Sequence, residues 1–289
     1  MRRGTLDGYD PSCQKSGMHR MRSSSTFVAP SRAPRLFAAL MLLTLVAHGD
    51  DALADADIGA ATSITTAVTG TIASTNAATL KSGDPVFQNE TIITDANGVG
   101  QFQFRDQTKL AIGPGSTLVL DNFVYDSDTS KAKVVINLTA GAMRFITGKA
   151  DHDAYEIVTP TATIGVRGTV FDVYTKPDGE LAVAMINGAI DICPRTGACH
   201  RHDVIGKFLH MTADGVFTLR DHWDENLFGG IPFKAALPFL YDQKILVPDL
   251  RGDASTVAGY LALNGKSIEK ILKLPLTRLP KLNLPKLFH

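Results

Sequence analysis

Between Ile64 and Leu219 the sequence is cut into short runs of β-branched and aromatic residues, and nothing else in it constrains the fold as strongly. The runs include Thr91–Thr94 (TIIT), Gly100–Phe104 (GQFQF), Thr117–Leu120 (TLVL), Val134–Leu138 (VVINL) and Ala142–Ile146 (AMRFI). Tyr155–Val158 (YEIV), Thr169–Tyr174 (TVFDVY) and Leu181–Ile186 (LAVAMI) continue the series. The breaks carry turn chemistry, as in Lys81-Ser82-Gly83-Asp84, Asp95-Ala96-Asn97-Gly98, Gly113-Pro114-Gly115 and Pro177-Asp178-Gly179. Glycine and asparagine tolerate positive φ there, and proline presets the bend. Strands recurring at roughly 8–12 residues with turns between them predict an all-β domain. No long stretch in this region has helical periodicity. Within GQFQF, Phe102 and Phe104 share one strand face and belong to the core, while Gln101, Gln103 and Arg105 take the other face.

The ends of the chain are a different material. Arg2, Arg3, Lys15, Arg20, Arg22, Arg32 and Arg35 make the start basic, and an apolar run, Leu36–Ala47, follows them. A run of twelve residues is too short to span a bilayer and suits the core of an export signal. Ala52-Leu53-Ala54 supplies a small-x-small cleavage site, so residues 1–54 are expected to be a signal peptide. The full chain has 29 basic and 29 acidic residues, but that balance is a sum of unlike parts. Residues 1–54 carry 7 − 4 = +3, residues 55–230 carry 13 − 21 = −8, and residues 231–289 carry 9 − 4 = +5. With 44% hydrophobic and 20% charged residues the chain is neither disordered by composition nor a polycation built for nucleic acid, so no nucleic-acid partner is expected.

One stretch carries more than strand pattern. Residues Thr159–Tyr174 read TPTATIGVRGTVFDVY, in which Gly165 and Gly168 bracket Val166-Arg167. Glycine inside a strand marks a bulge or a close backbone approach. Arg167 is a charge among apolar neighbours and needs carboxylate or carbonyl partners. It either braces neighbouring turns or faces a ligand. This stretch resembles the signature of the FecR domain family. Ala67–Ile72 (AVTGTI), Leu80–Asp84, Ile92–Thr94, Gly98–Phe104 and Leu110–Leu120 look like its first half. Gly141–Phe145, the TP-x-A-x-IGVRGT-x-F-x-V string and Val183–Ile190 look like its second half, so the resemblance covers about residues 60–220. It implies a β-helix-like or rolled fold on the extracytoplasmic side of a bacterial envelope. In the best-known members of that family the domain sits in membrane-spanning regulators that relay iron-siderophore signals to a sigma factor. Here only a signal-like stretch precedes the domain, so the resemblance carries the module and its compartment rather than the pathway.

Cys193 and Cys199 flank a turn containing Pro194 and Gly197, and in an oxidising compartment they are expected to form a disulfide. The competing use of Cys193, Cys199, His200 and His202 is a tetrahedral metal site, but C-x5-C-H-x-H matches no common zinc spacing. No metal and no cofactor is expected. The chain contains no G-x-S-x-G, H-E-x-x-H or P-loop string. Asp151, His152 and Asp153 read as a polar loop. Asp221, His222, Asp224 and Glu225 surround the only tryptophan, Trp223, and could hold a cation or a sugar; a polar linker with one anchoring aromatic explains them as well.

Near the C-terminus Ile268, Ile271 and Leu272 lie on one face of a short helix expected over Ser267–Lys273. Pro275, Pro280 and Pro285 then follow Leu274, Leu279 and Leu284, which favours extended chain. This basic, leucine-rich tail is expected to pack on something: its own acidic β domain, a partner protein or an anionic membrane surface. The expected architecture is therefore a signal peptide (1–54), a β-helix-like or rolled antiparallel domain of many short strands (55–225), and an extension ending in the basic Leu-Pro tail (226–289). The expected role is a non-enzymatic periplasmic or secreted binding or sensing module with an envelope protein as partner, and Arg167 and Trp223 as its binding residues. An envelope structural or surface-associated protein is the second reading, and a carbohydrate-active β-helical enzyme the third.

Overall fold

Three fourteen-residue strands organise the molecule. The computed structural model describes residues 56–72, 76–124 and 133–264, all within one compact unit, Ala52–His289. The expected signal peptide, the helix over Ser267–Lys273 and the Leu-Pro tail lie outside the described residues. The strands are β1 (Asp57–Thr65), β2 (Val68–Thr71), β3 (Ala78–Thr79), β4 (Pro85–Phe87), β5 (Glu90–Thr94), β6 (Val99–Phe104), β7 (Lys109–Ile112) and β8 (Thr117–Val124). The three long ones, β9 (Lys133–Ile146), β11 (Ala162–Thr175) and β12 (Leu181–Pro194), surround the short β10 (Tyr155–Val158). β13 (His200–His202), β14 (Phe208–Met211) and β15 (Phe217–Arg220) complete one open, mixed sheet.

The sheet folds because each long strand changes partners at a glycine. Gly141, Gly168 and Gly188 hold φ of 98°, 61° and 83°, a region open to glycine and costly for residues with a Cβ. Before Gly141, β9 pairs with β8 and, in parallel, with β10; beyond it, β9 pairs with β7 and β11. β11 likewise pairs with β10 through Val166 and with β9 from Val170, with a register shift between Arg167 and Val170. Two wings result, and their inner faces share one core. Ile92, Leu118, Ile136 and Ile164 enter it from the first wing, and Phe102, Phe145, Phe171 and Met185 from the second. Phe102 and Phe104 both reach it, as their alternation requires.

The outer face of the second wing is also covered. After β15 the chain forms α1 (Phe233–Ala236), α2 (Pro238–Tyr241), 3₁₀ turns at Gln243–Ile245 and Pro248–Leu250, and α3 (Ala254–Leu263). Asp253 caps α3 by accepting from the Thr256 N–H at 2.9 Å. Ala182, Ala184, Ile186 and Phe208 pack outward against Trp223, Phe233, Leu240 and Tyr260. Val99 and Ala111 pack against Phe239, Leu246 and Leu250. Full burial of each large apolar side chain contributes about 1.5–3 kcal/mol. Among the described residues no helix is long and apolar enough to cross a membrane.

Polar side chains pin this cap to the sheet. Arg144 and Asp172 face each other across β9 and β11, and both are fully buried. The guanidinium grips the carboxylate through Nε (2.5 Å) and Nη2 (2.8 Å), while Nη1 donates to the Leu250 carbonyl at 3.3 Å. Phe239 lies 5.9 Å from the guanidinium carbon. Burial pushes the Asp172 carboxyl up, against the pull of Arg144. Gln101 clamps the same segment from both ends of its amide, donating to Ile245 O and accepting from Val247 N–H.

Candidate functional site

Arg167 projects from the uncovered outer face of the first wing. Strand register places Gly165 opposite Asp191 and Arg167 opposite Ala189, so Arg167 and Asp191 are diagonal neighbours on one face. Gly165 has no side chain between them. Arg167 Nε donates to Asp191 Oδ2 at 3.1 Å, and Nη2 lies 3.6 Å from Asp153 in the 3₁₀ turn before β10. On the other side Asp191 sits opposite Arg201, whose Nη1 is 3.7 Å from Oδ1. Arg201 also reaches Asp203 at 3.5 Å. One carboxylate thus separates two guanidiniums, each more than half exposed, on three adjacent strands.

This row is held by a covalent staple. Cys193 and Cys199 form a disulfide across the turn between β12 and β13, two residues from Asp191 and two from Arg201. The bridge fixes the register that sets Asp191 against Arg201 and takes both thiolates from the metal reading. Among the described residues no group of three or more His, Cys, Asp or Glu is arranged to hold a metal ion. His200 stacks on Phe217 at 4.7 Å between ring centres. His202 is buried, its Nε2 has no hydrogen-bond partner, and burial together with the charge of His200 pushes its pKa down to about 4.

Exposed ion pairs at these distances contribute only a few tenths of a kcal/mol each. Their chemical value lies elsewhere. Each guanidinium has five N–H donors and spends few of them here, so the row can still take a carboxylate or a backbone carbonyl from outside.

Trp223 lies in the cap cluster on the second wing. It is 7% exposed, its ring is stacked on Phe228 at 4.3 Å, and its Nε1–H donates to Ile231 O at 2.8 Å. The structure does not bring it together with Arg167. The acids around it serve the same corner: Asp221 pairs with Lys207 at 2.7 Å, and Asp224 accepts from the Asn226 N–H. Arg144, Asp172 and Gln101, the most consequential polar residues of the fold, were not singled out from sequence. They occupy the polar positions of alternating strands and read as solvent-facing.

Residues 90–191 match the FecR protein family. The match spans about a third of the chain. The matched stretch runs from β5 into β12, so it contains Arg167 and Asp191 and ends before the disulfide hairpin and the cap. No curated protein matches the chain. Among solved structures, two of a candidate anti-sigma factor from Parabacteroides distasonis align with 13% and 12% identity and TM-scores of 0.37 and 0.38. Each alignment covers 48% of this chain and 62% of that protein, so the chain spans about three-fifths of its length. A cell surface anchoring domain aligns at 34% identity over 22% of this chain and 82% of its own, with a TM-score of 0.21.

Proposed function

We propose that this chain is an extracytoplasmic, non-enzymatic sensing module whose FecR domain docks an envelope protein through the Arg167–Asp191–Arg201 row. The observation that carries this reading is that the signature strand of the matched domain presents its arginine outward, beside a disulfide-stapled hairpin, on a sheet face that the cap leaves free. Exposed arginines on rigid strands are effective anchors for a partner's carboxylate. Asp191 and Asp153 keep both guanidiniums in place until a partner competes for them. The disulfide and the apolar run Leu36–Ala47 support the extracytoplasmic compartment.

The test places a photo-crosslinking residue at Thr163, on the same strand face as Gly165, in intact cells. A single discrete adduct that disappears in an Arg167→Glu chain is the expected result. An adduct that survives Arg167→Glu, or none at all, sinks the docking face. Trapping thiols with an alkylating reagent in the same cells checks the compartment. Cys193 and Cys199 should be oxidised, and finding both free would place the protein in a reducing compartment.

A further inference from the structure

β15 ends the sheet, and among the described residues it pairs with β14 alone. The Thr212 N–H donates to Val216 O at 3.0 Å and closes the turn between them. Antiparallel ladders alternate hydrogen-bonded and non-bonded pairs. Counting from Thr212–Val216, the bonded pairs are His210–Thr218 and Phe208–Arg220. The backbone N–H and C=O groups of Phe217 and Leu219 therefore point at the free edge. Leu219 is 41% exposed, and Val216, just before β15, is 56% exposed. Val204 and Ile205, in the loop that leads into β14, are 39% and 49% exposed. Four of the five exposed large apolar side chains among the described residues thus belong to this hairpin or to the loop that feeds it. Proline, inward-pointing charge and bulges keep edge strands from pairing, and β15 has none of them. Its one charge, Arg220, stands at its end. An unpaired strand with an apolar flank is a template for another strand.

The strand is complementary to itself. A two-fold dimer sets one edge antiparallel against its own copy. Only the odd-numbered residues offer N–H and C=O groups there, so every bonded pair joins odd to odd. Three registers satisfy that rule within β15. Pairing Phe217 with its own counterpart sets Leu219 against the turn residue Gly215 and wastes most of the strand. Pairing Leu219 with its own counterpart makes the two Arg220 side chains diagonal neighbours, about 7–8 Å apart and of like charge. In the third register Phe217 and Leu219 of one copy bond Leu219 and Phe217 of the other, in both directions. Thr218 then meets its counterpart on the two-fold axis. The exposed Leu219 side chain gains an aromatic neighbour. Arg220 lies opposite Val216 of the second copy and, beyond it, meets the exposed turn residue Asp214. This register alone uses both free residues of the strand and joins opposite charges at each end.

We propose that β15 is a homodimer interface, at which two copies of this chain pair antiparallel about Thr218 with Arg220 of each against Asp214 of the other. The contact uses none of the residues of the Arg167 row. The test is sedimentation equilibrium of the full chain over a concentration series reaching the high micromolar range, with amide hydrogen exchange on the same samples. A monomer–dimer equilibrium is expected. Protection of the Phe217 and Leu219 amides should rise with concentration, while the Thr218 amide, bonded to His210, stays protected throughout. Each dimer holds two Arg220–Asp214 contacts, so Arg220→Glu should raise the dissociation constant about tenfold. Adding Asp214→Arg to Arg220→Glu exchanges the charges and should restore association, an outcome that a merely misfolded hairpin would not give. A monomer at every concentration overturns the proposal. So does a dimer whose dissociation constant is unmoved by Arg220→Glu or not rescued by the exchange, because the contact then lies elsewhere. Protection of Phe217 and Leu219 that does not change on dilution assigns the edge to another part of the same chain and also overturns it.

Discussion

His202 shows how a single residue can make the fold pH-dependent. It is 1% exposed, and its folded pKa of about 4 lies below the unfolded value of 6.5. A base whose pKa falls on folding stays neutral in the native state. The penalty for charging it is absent above pH 6.5, and stability is lost as pH falls from there toward 4. The full loss is roughly 3 kcal/mol, since each pKa unit is worth 1.36 kcal/mol. Urea midpoints at pH 7 and pH 4.5 should therefore converge in His202→Phe relative to the unaltered chain; equal slopes would remove His202 as the cause. Glu90 works in the opposite sense. It is buried, accepts from the Phe87 N–H at 2.9 Å, and its pKa is raised by desolvation. Glu90→Gln keeps the acceptor and removes the buried charge, so it should raise the urea midpoint at pH 7. That gain should vanish as the carboxyl protonates at low pH. At this scale the sequence was partly legible. Arg167 stood out because a charge within an apolar glycine-flanked run is rare. Its partners Asp153 and Asp191 did not, because they depend on strand register, which no local pattern prints.

At the scale of elements, legibility follows the glycines. β10 occupies Tyr155–Val158, the same bounds as its sequence run. The runs Val134–Leu138 and Ala142–Ile146, by contrast, are one strand, β9, and β11 and β12 each pass through a glycine. A glycine at positive φ bends a strand without ending it, and composition alone cannot tell a bend from a stop. The cap was invisible for a related reason. Its contacts lie with Gln101, Arg144 and Asp172, whose alternation with apolar residues marks an outward face but not whether something covers it. Only the capping pair Asp253 and Thr256 signals α3 locally. The buried Arg144–Asp172 pair makes a sharp prediction. Arg144→Met leaves an unpaired buried carboxylate and should cost about 3–5 kcal/mol. Replacing both partners, as Arg144→Met with Asp172→Leu, should recover most of that loss, because desolvation then has no charge to act on. Trp223, the only tryptophan, sits in the cap and reports the outcome: its emission should shift to the red in the single variant and return in the double. A double variant as unstable as the single would mean that the pair itself, not a stranded charge, holds the cap.

For the whole molecule, the deciding fact is that β9, β11 and β12 each belong to both wings. Neither wing can lose its strands without taking backbone from the other, and the cap packs on β12 and β14 of the second. The two wings, one core and cap should therefore unfold together. Such coupling predicts a single urea transition in which far-UV circular dichroism, reporting the sheet, and Trp223 emission, reporting the cap, have the same midpoint. Cleaving the disulfide by Cys193→Ser with Cys199→Ser removes a short closed loop worth roughly 2 kcal/mol. It should shift both midpoints down equally and leave them coincident. Gly188→Ala probes the coupling at its weakest backbone point, because a Cβ there would lie 2.5 Å from Gly168 O at a φ of +83°. The strain falls where β11 and β12 both pass between wings, so it should lower the stability by several kcal/mol, move the midpoint down and still not split the transition. If instead Trp223 emission changes at lower urea than the sheet signal, the cap is a separate cooperative unit. The outer face of the second wing, with Arg144 and Asp172 on it, would then open without unfolding of the sheet, and the contact surface available to a partner would be two faces rather than one.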